Sequence, residues 1–116
     1  MADYEPDCLF CRIAAGEIPS EIVHSDEQVV VFRDANPRAP THVLAIPRRH
    51  IPSAAELTDA DGDLLAALFG ALRRVAEEGG VHGYRIVTNV GADAGQSVFH
   101  LHFHLLAGRS MTWPPG

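Results

Sequence analysis

Residues 100–106 of this 116-residue chain read His-Leu-His-Phe-His-Leu-Leu, and that stretch constrains everything around it. Apolar and polar residues alternating with period two mark a β-strand. On one strand His100, His102 and His104 share a face, with neighbours ~6.7 Å apart. Phe99, Leu101, Phe103 and Leu105 would share the opposite face and bury it. The fold must therefore supply a sheet with one apolar side and a use for a row of imidazoles. An imidazole near neutral pH can act as nucleophile, proton carrier or metal ligand.

The preceding residues bear on which role applies. Asn89 to Ser97 form a polar loop containing Gly91, Gly95 and Gln96. Glycines let backbone N–H groups approach an anion, and Asn, Gln and Ser add neutral donors. Such a loop feeding a row of imidazoles suits a phosphate, with an imidazole attacking phosphorus, better than a three-histidine zinc bearing a water.

The length suits one domain spanning residues 1–116. A formal charge of −6 argues against a general nucleic-acid or membrane binder, though a local donor site can still hold a nucleotide. No apolar run is long enough for a transmembrane helix. The acidic Met1–Glu5 start lacks a signal-peptide pattern, so cytoplasmic residence is expected.

In chain order, Cys8–Ala15 reads as a short helix stopped by Gly16. Strands are expected at Glu21–His24, Val29–Arg33 and His42–Ile46, the last closed by Pro47. The main helix should begin near Thr58, as Thr58 and Asp61 make a capping-box pattern. Leu64, Leu65, Leu68, Leu72, Val75 and Ala76 mark its apolar face, and Gly79-Gly80 its end. Gly70 inside it would be explained by close packing against another helix. Tyr84–Asn89 is a further strand before the histidine strand. Strands joined by short turns, with one long and one short helix, give an α+β meander.

Gln96-Ser97-Val98-Phe99-His100-Leu101-His102-Phe103-His104-Leu105-Leu106 resembles the signature of the histidine triad nucleotide-binding proteins. Ala39-Pro40-Thr41-His42, Ile46-Pro47-Arg48-Arg49-His50 and the closing Trp113-Pro114-Pro115-Gly116 extend the likeness over nearly the whole chain, the last toward the nucleoside phosphoramidase branch. The resemblance implies a five-stranded antiparallel sheet and a homodimer with the two sheets side by side. It implies that His102 attacks the α-phosphorus of a purine nucleoside phosphoramidate, with His104 on the phosphate, His42 in the proton network, and Ser97 and Gln96 as donors. Leu9, Phe10, Ile13, Phe32 and Ala35 would line the nucleoside slot. Asp34 would accept from the ribose, Asn89 and Gly95 belong to the phosphate loop, and Trp113 would reach the partner's site. Ala35 is smaller than the aliphatic residue expected there.

Cys8 and Cys11 have the two-residue spacing of two legs of a tetrahedral site. Without a strand–Cys-Gly-Pro-Cys–helix context they do not read as a redox pair. Some bacterial members of the family look like this, and a structural zinc is expected on Cys8, Cys11, His50 and His100. The alternative is two cysteines packed as small apolar residues. Rival functions are a dinucleoside polyphosphate hydrolase, a nucleotide-binding interaction protein without turnover, and a zinc hydrolase using all three histidines of the row. His24 and His82 match no catalytic pattern.

Overall fold

A computed structural model describes residues 3–116. The strands are β1 (Ile22–Ser25), β2 (Val29–Arg33), β3 (Thr41–Pro47), β4 (Tyr84–Val87) and β5 (Phe103–Ala107), and the helices are α1 (Leu9–Ala14) and α2 (Gly62–Glu78). All neighbouring strands are antiparallel, in the order β1-β2-β3-β5-β4. The meander holds through β3. The chain then crosses by α2 to the outer strand β4, and β5 returns between β4 and β3. That exchange puts the histidine-bearing strand against β3, which carries His42.

Period-two alternation separates two cores. Val29, Val31, Val43, Ala45, Phe103 and Leu105 join Leu68 and Leu72 of α2. Val30, Phe32, Leu44 and Ile46 point the other way and meet Phe10 and Ile13 of α1. His42 and His104 occupy this second side, since they alternate with Val43 and with Phe103 and Leu105. The short helix and the histidines thus share one face of the sheet, and the long helix covers the other.

The helix signals hold with one refinement. Thr58 and Asp61 do form the capping box, but it opens a 3₁₀ turn, Asp59–Asp61, that leads into α2. Gly79 caps the C-terminus. Gly70 has no tight neighbour: a Cβ built there meets nothing within 4 Å, so close helix packing does not account for it within one chain.

The histidine strand is shorter than expected. β5 starts at Phe103, and residues 100–102 lie outside the ladder, with a bend at His100. Their backbone acceptors are taken by side chains: the His100 carbonyl accepts from His102 Nδ1 at 2.7 Å and the His102 carbonyl from Thr88 Oγ1 at 2.7 Å. The chain bends at His100, which turns Phe99 outward. Phe99 is 51% exposed instead of buried with Leu101, Phe103 and Leu105. β4 likewise stops at Val87, leaving Thr88 and Asn89 in the loop.

Candidate functional site

The site grows from the register of β3 and β5. His42 lies opposite Leu106 and Leu44 opposite His104, so the two histidines are diagonal neighbours within reach of each other. Their rings meet with His42 Nε2 2.9 Å from His104 Nδ1. Main-chain contacts then fix the protons. The Arg38 backbone N–H donates to His42 Nδ1 at 3.0 Å, so that nitrogen carries a lone pair. His42 must hold its proton on Nε2 and donate it to His104 Nδ1. The neutral His104 ring consequently carries its own proton on Nε2, as an N–H donor.

His102 has the reverse arrangement. Its Nδ1 lies 2.7 Å from the His100 carbonyl. A carbonyl only accepts, so Nδ1 carries the proton and the neutral ring's Nε2 keeps its lone pair. The ring stands edge-on to Phe10 with centroids 5.0 Å apart, and its centroid is 5.0 Å from that of His104. A lone pair on His102 thus sits beside an N–H donor on His104. This pairing can attack an electrophilic phosphorus and hold a non-bridging oxygen. Burial pulls His104 down to about 4, helped by His102 and His42 and opposed by Asp34. Burial also lowers His42, with Asp34 pulling it back up and Arg38 pushing it down. Both rings are therefore neutral near pH 7, as the tautomer assignment requires.

Asp34 lies just after β2, with Oδ2 3.4 Å from His42 Nε2 and Oδ1 accepting the Asn36 N–H at 2.8 Å. Phe10, Ile13 and Phe32 are all buried and form an apolar wall, Phe10 and Phe32 edge-to-face at 5.4 Å. Leu9 is turned away from that wall, 44% exposed. It lines a cleft of about 470 Å³ together with Cys8, His50, Ser97 and Phe99. Ala35 is exposed and Asn89 half-buried. Gly95 adopts φ 95°, a left-handed turn that favours glycine. Gln96 is buried, donating to the Pro52 and Val98 carbonyls and accepting from the Gly91 N–H. Its amide is committed to shaping the loop, whereas Ser97 is free at the surface. Trp113 is 82% exposed, its ring centroid 6.0 Å from the Arg85 guanidinium. It borders a cavity of about 460 Å³ along β4.

A second cluster lies beside the first. Ligand atoms of Cys8, Cys11, His50 and His100 all fall within 4.8 Å of one another. His100 Nδ1 is 3.3 Å from Cys8 Sγ and 3.5 Å from Cys11 Sγ, and His50 Nδ1 is 3.3 Å from Cys11 Sγ. Donors in a tetrahedral zinc site stand roughly 3.3–3.8 Å apart, as its bond lengths of about 2.0–2.3 Å require. The surroundings suit a metal. His100 Nε2 donates to the Pro47 carbonyl at 2.8 Å, which leaves Nδ1 as the free lone pair and supplies the outer hydrogen bond typical of a ligating histidine. Backbone N–H groups of Cys11 and Glu5 point at the Cys8 and Cys11 sulfurs, at 3.3 and 3.4 Å. Burial pushes the Cys11 thiol up to about 11 and pulls His100 down to about 4. Without a cation these groups stay neutral.

Asp34, His42 and His104 also bring ligand atoms within 4.8 Å, but their protons argue against a metal. Binding at His42 Nε2 would move that ring's proton to Nδ1, directly against the Arg38 N–H. Three contributors were not legible in the sequence: Thr88, the Arg38 amide and the Pro47 carbonyl. The last two are main-chain groups, which leave no side-chain signal.

One face of a five-stranded antiparallel sheet thus carries an imidazole with a free lone pair beside an imidazole N–H donor. Known proteins share this fold. A family model described as "Scavenger mRNA decapping enzyme C-term binding" matches residues 7–113. An uncharacterised HIT-like protein of Synechocystis is 44% identical over 111 residues, 95% of this chain and 97% of that protein. The crystal structure of a HIT family hydrolase from Legionella pneumophila superposes with TM-score 0.93 at 48% identity, covering 95% of this chain and all of that one. A HIT family hydrolase from Clostridium thermocellum gives 0.90 at 44% identity, covering 93% and 96%. The chain belongs to the histidine triad (HIT) family.

Proposed function

We propose that this protein is a purine nucleoside phosphoramidase, working as a single domain over residues 1–116. It hydrolyses the P–N bond of a nucleoside 5'-phosphoramidate in two steps. His102 Nε2 donates its lone pair to the α-phosphorus as the P–N bond breaks, and the amine departs with one added proton. Water then attacks phosphorus, the P–Nε2 bond breaks, and the nucleoside monophosphate leaves. The water delivers hydroxide to phosphorus and returns a proton, so one water is consumed overall. The hydrogen bond from His102 Nδ1 to the His100 carbonyl is the observation that carries this reading. It frees the attacking nitrogen and stabilises the positive charge that the ring acquires in the adduct. His104 Nε2–H would hold a phosphate oxygen, with His42 behind it. Ser97 would donate from the loop shaped by Gln96, Gly95 and Asn89. Phe10, Ile13 and Phe32 would face the base, with Leu9 and Ala35 at its margins, and Asp34 would take the ribose hydroxyls. The names of the Legionella and Clostridium neighbours support a hydrolase.

The donor set supports a structural zinc on Cys8, Cys11, His50 and His100. It would tie α1, and with it Phe10, to the chain that holds the nucleophile. We also propose a homodimer whose Trp113-Pro114-Pro115-Gly116 tail reaches the partner's site, acting in the cytoplasm. The exposed indole beside the outer strand supports this. Among the described residues no helix is long and apolar enough to cross a membrane.

The test is incubation with adenosine 5'-phosphoramidate, with product analysis and intact-protein mass after a rapid acid-free quench. A transient nucleotidyl adduct is expected on the wild type and none on His102→Ala, with turnover lower by at least about 10³-fold. Near-normal turnover in that variant would sink the assignment. Release of a monophosphate only from dinucleoside polyphosphates would favour the rival hydrolase, and binding with no turnover the interaction protein.

A further inference from the structure

The carboxylate of Asp34 has two neighbours of different kinds. Oδ1 closes the turn at Asn36, and Oδ2 faces the buried His42 Nε2 at 3.4 Å. In the neutral pair the one proton between the rings lies on His42 Nε2 and points at His104 Nδ1, 2.9 Å away. A second proton on the pair can go only to His104 Nδ1, because His42 Nδ1 is blocked by the Arg38 N–H. The His42 and His104 N–H groups would then point at each other. The His42 N–H must find another acceptor, and Asp34 Oδ2 is beside it. The titratable and charged groups facing the pair are Asp34 and Arg38 from the loop between β2 and β3, and the His102 ring from the segment before β5. Asp34 is the only anion among them.

We propose that Asp34 is a positioning residue for the chemistry as well as a ribose acceptor: it receives the His42 N–H whenever the His42–His104 pair carries an extra proton. This rests on the phosphoramidase reading for its catalytic consequence but not for its geometry. It makes nucleoside binding and proton handling share one carboxylate. A ribose hydroxyl donating to Asp34 tempers its charge, so the sugar helps set how readily the pair holds a proton near the phosphate.

Asp34→Asn tests this with little risk to the fold, because the amide oxygen can still accept the Asn36 N–H. Two readouts are needed. In the first, ¹⁵N NMR of the imidazoles follows the His42–His104 pair with pH in wild type and variant without substrate. Removing an anion at this distance should lower the pair's apparent pKa by about one unit. In the second, turnover is compared on adenosine 5'-phosphoramidate and on its 2',3'-dideoxy analogue, which offers Asp34 no hydroxyl. If Asp34 served the ribose alone, the substitution would not affect the dideoxy substrate. A further drop of about tenfold in its kcat is expected, with the loss of activity toward high pH moved to lower pH. An unmoved imidazole titration, or equal dideoxy turnover by the two proteins, would overturn the proposal. If the wild type turns over neither substrate, the phosphoramidase reading fails, and the titration still decides whether Asp34 serves His42.

Discussion

Chelation should unseat the N-terminal segment before it touches the histidine chemistry, and the size of the effect can be worked from the cluster. Cys11 and His100 are 2% and 0% exposed, so the metal would be enclosed and bound by the folded state almost alone. A ligand present at 1,000 times its dissociation constant stabilises by about 4.1 kcal/mol. A chain of this length gains roughly 3–5 °C in Tm per kcal/mol. Zinc-loaded protein should therefore melt roughly 12–20 °C above protein dialysed against chelator. Affinity should weaken as pH falls, because the Cys11 thiol, pushed up to about 11 by burial, must give up its proton to ligate. His100, pulled down to about 4, carries no competing proton at neutral pH. Metal analysis should find about one zinc per chain, and cobalt substitution should show thiolate charge-transfer bands. Equal melting with and without zinc, together with two thiols that react at the same rate in both preparations, would refute the reasoning.

Phe10→Ala removes the ring shared by the apolar wall and the edge of His102, and should cost about 3–5 kcal/mol in a denaturant melt while raising KM. Unchanged KM in folded variant would take Phe10 out of the nucleoside slot. Thr88→Val keeps the shape but deletes the donor to the His102 carbonyl. It should cost about 1–3 kcal/mol for the unpaired carbonyl and lower kcat more than KM, and equal kcat would show that this hydrogen bond does not position the nucleophile. His104 is pulled from 6.5 to about 4 chiefly by burial, so between those values the unfolded chain binds the proton and the native state does not. Its contribution is present above pH 6.5 and lost as pH falls toward 4. The wild-type Tm should fall over that range more steeply than that of His104→Gln, and parallel curves would show that His104 is not buried as a neutral ring.

The sequence alone carried much of the answer, because its strongest signals are periodic or local. The alternation from Phe99 to Leu105 reads as a strand with imidazoles on one face. The Thr58–Asp61 cap and the Cys8–Cys11 spacing work through neighbours only a few residues apart. The remaining features depend on groups far apart in sequence. The insertion of β5 between β3 and β4 depends on which edge α2 delivers the chain to, yet it brings His42 to His104. Phe99 fits the apolar alternation, but the His100 ring is drawn to the Pro47 carbonyl and the cysteines, and the resulting bend turns Phe99 to solvent. Gln96 reads as a phosphate donor until its amide is seen spanning Pro52, Val98 and Gly91. The nitrogen that each histidine offers is decided by main-chain groups of Arg38, Pro47 and His100. Side-chain identity fixes which residues can do the chemistry. Backbone hydrogen bonds, which exist only once the chain has folded, decide the tautomer and so the role of each ring.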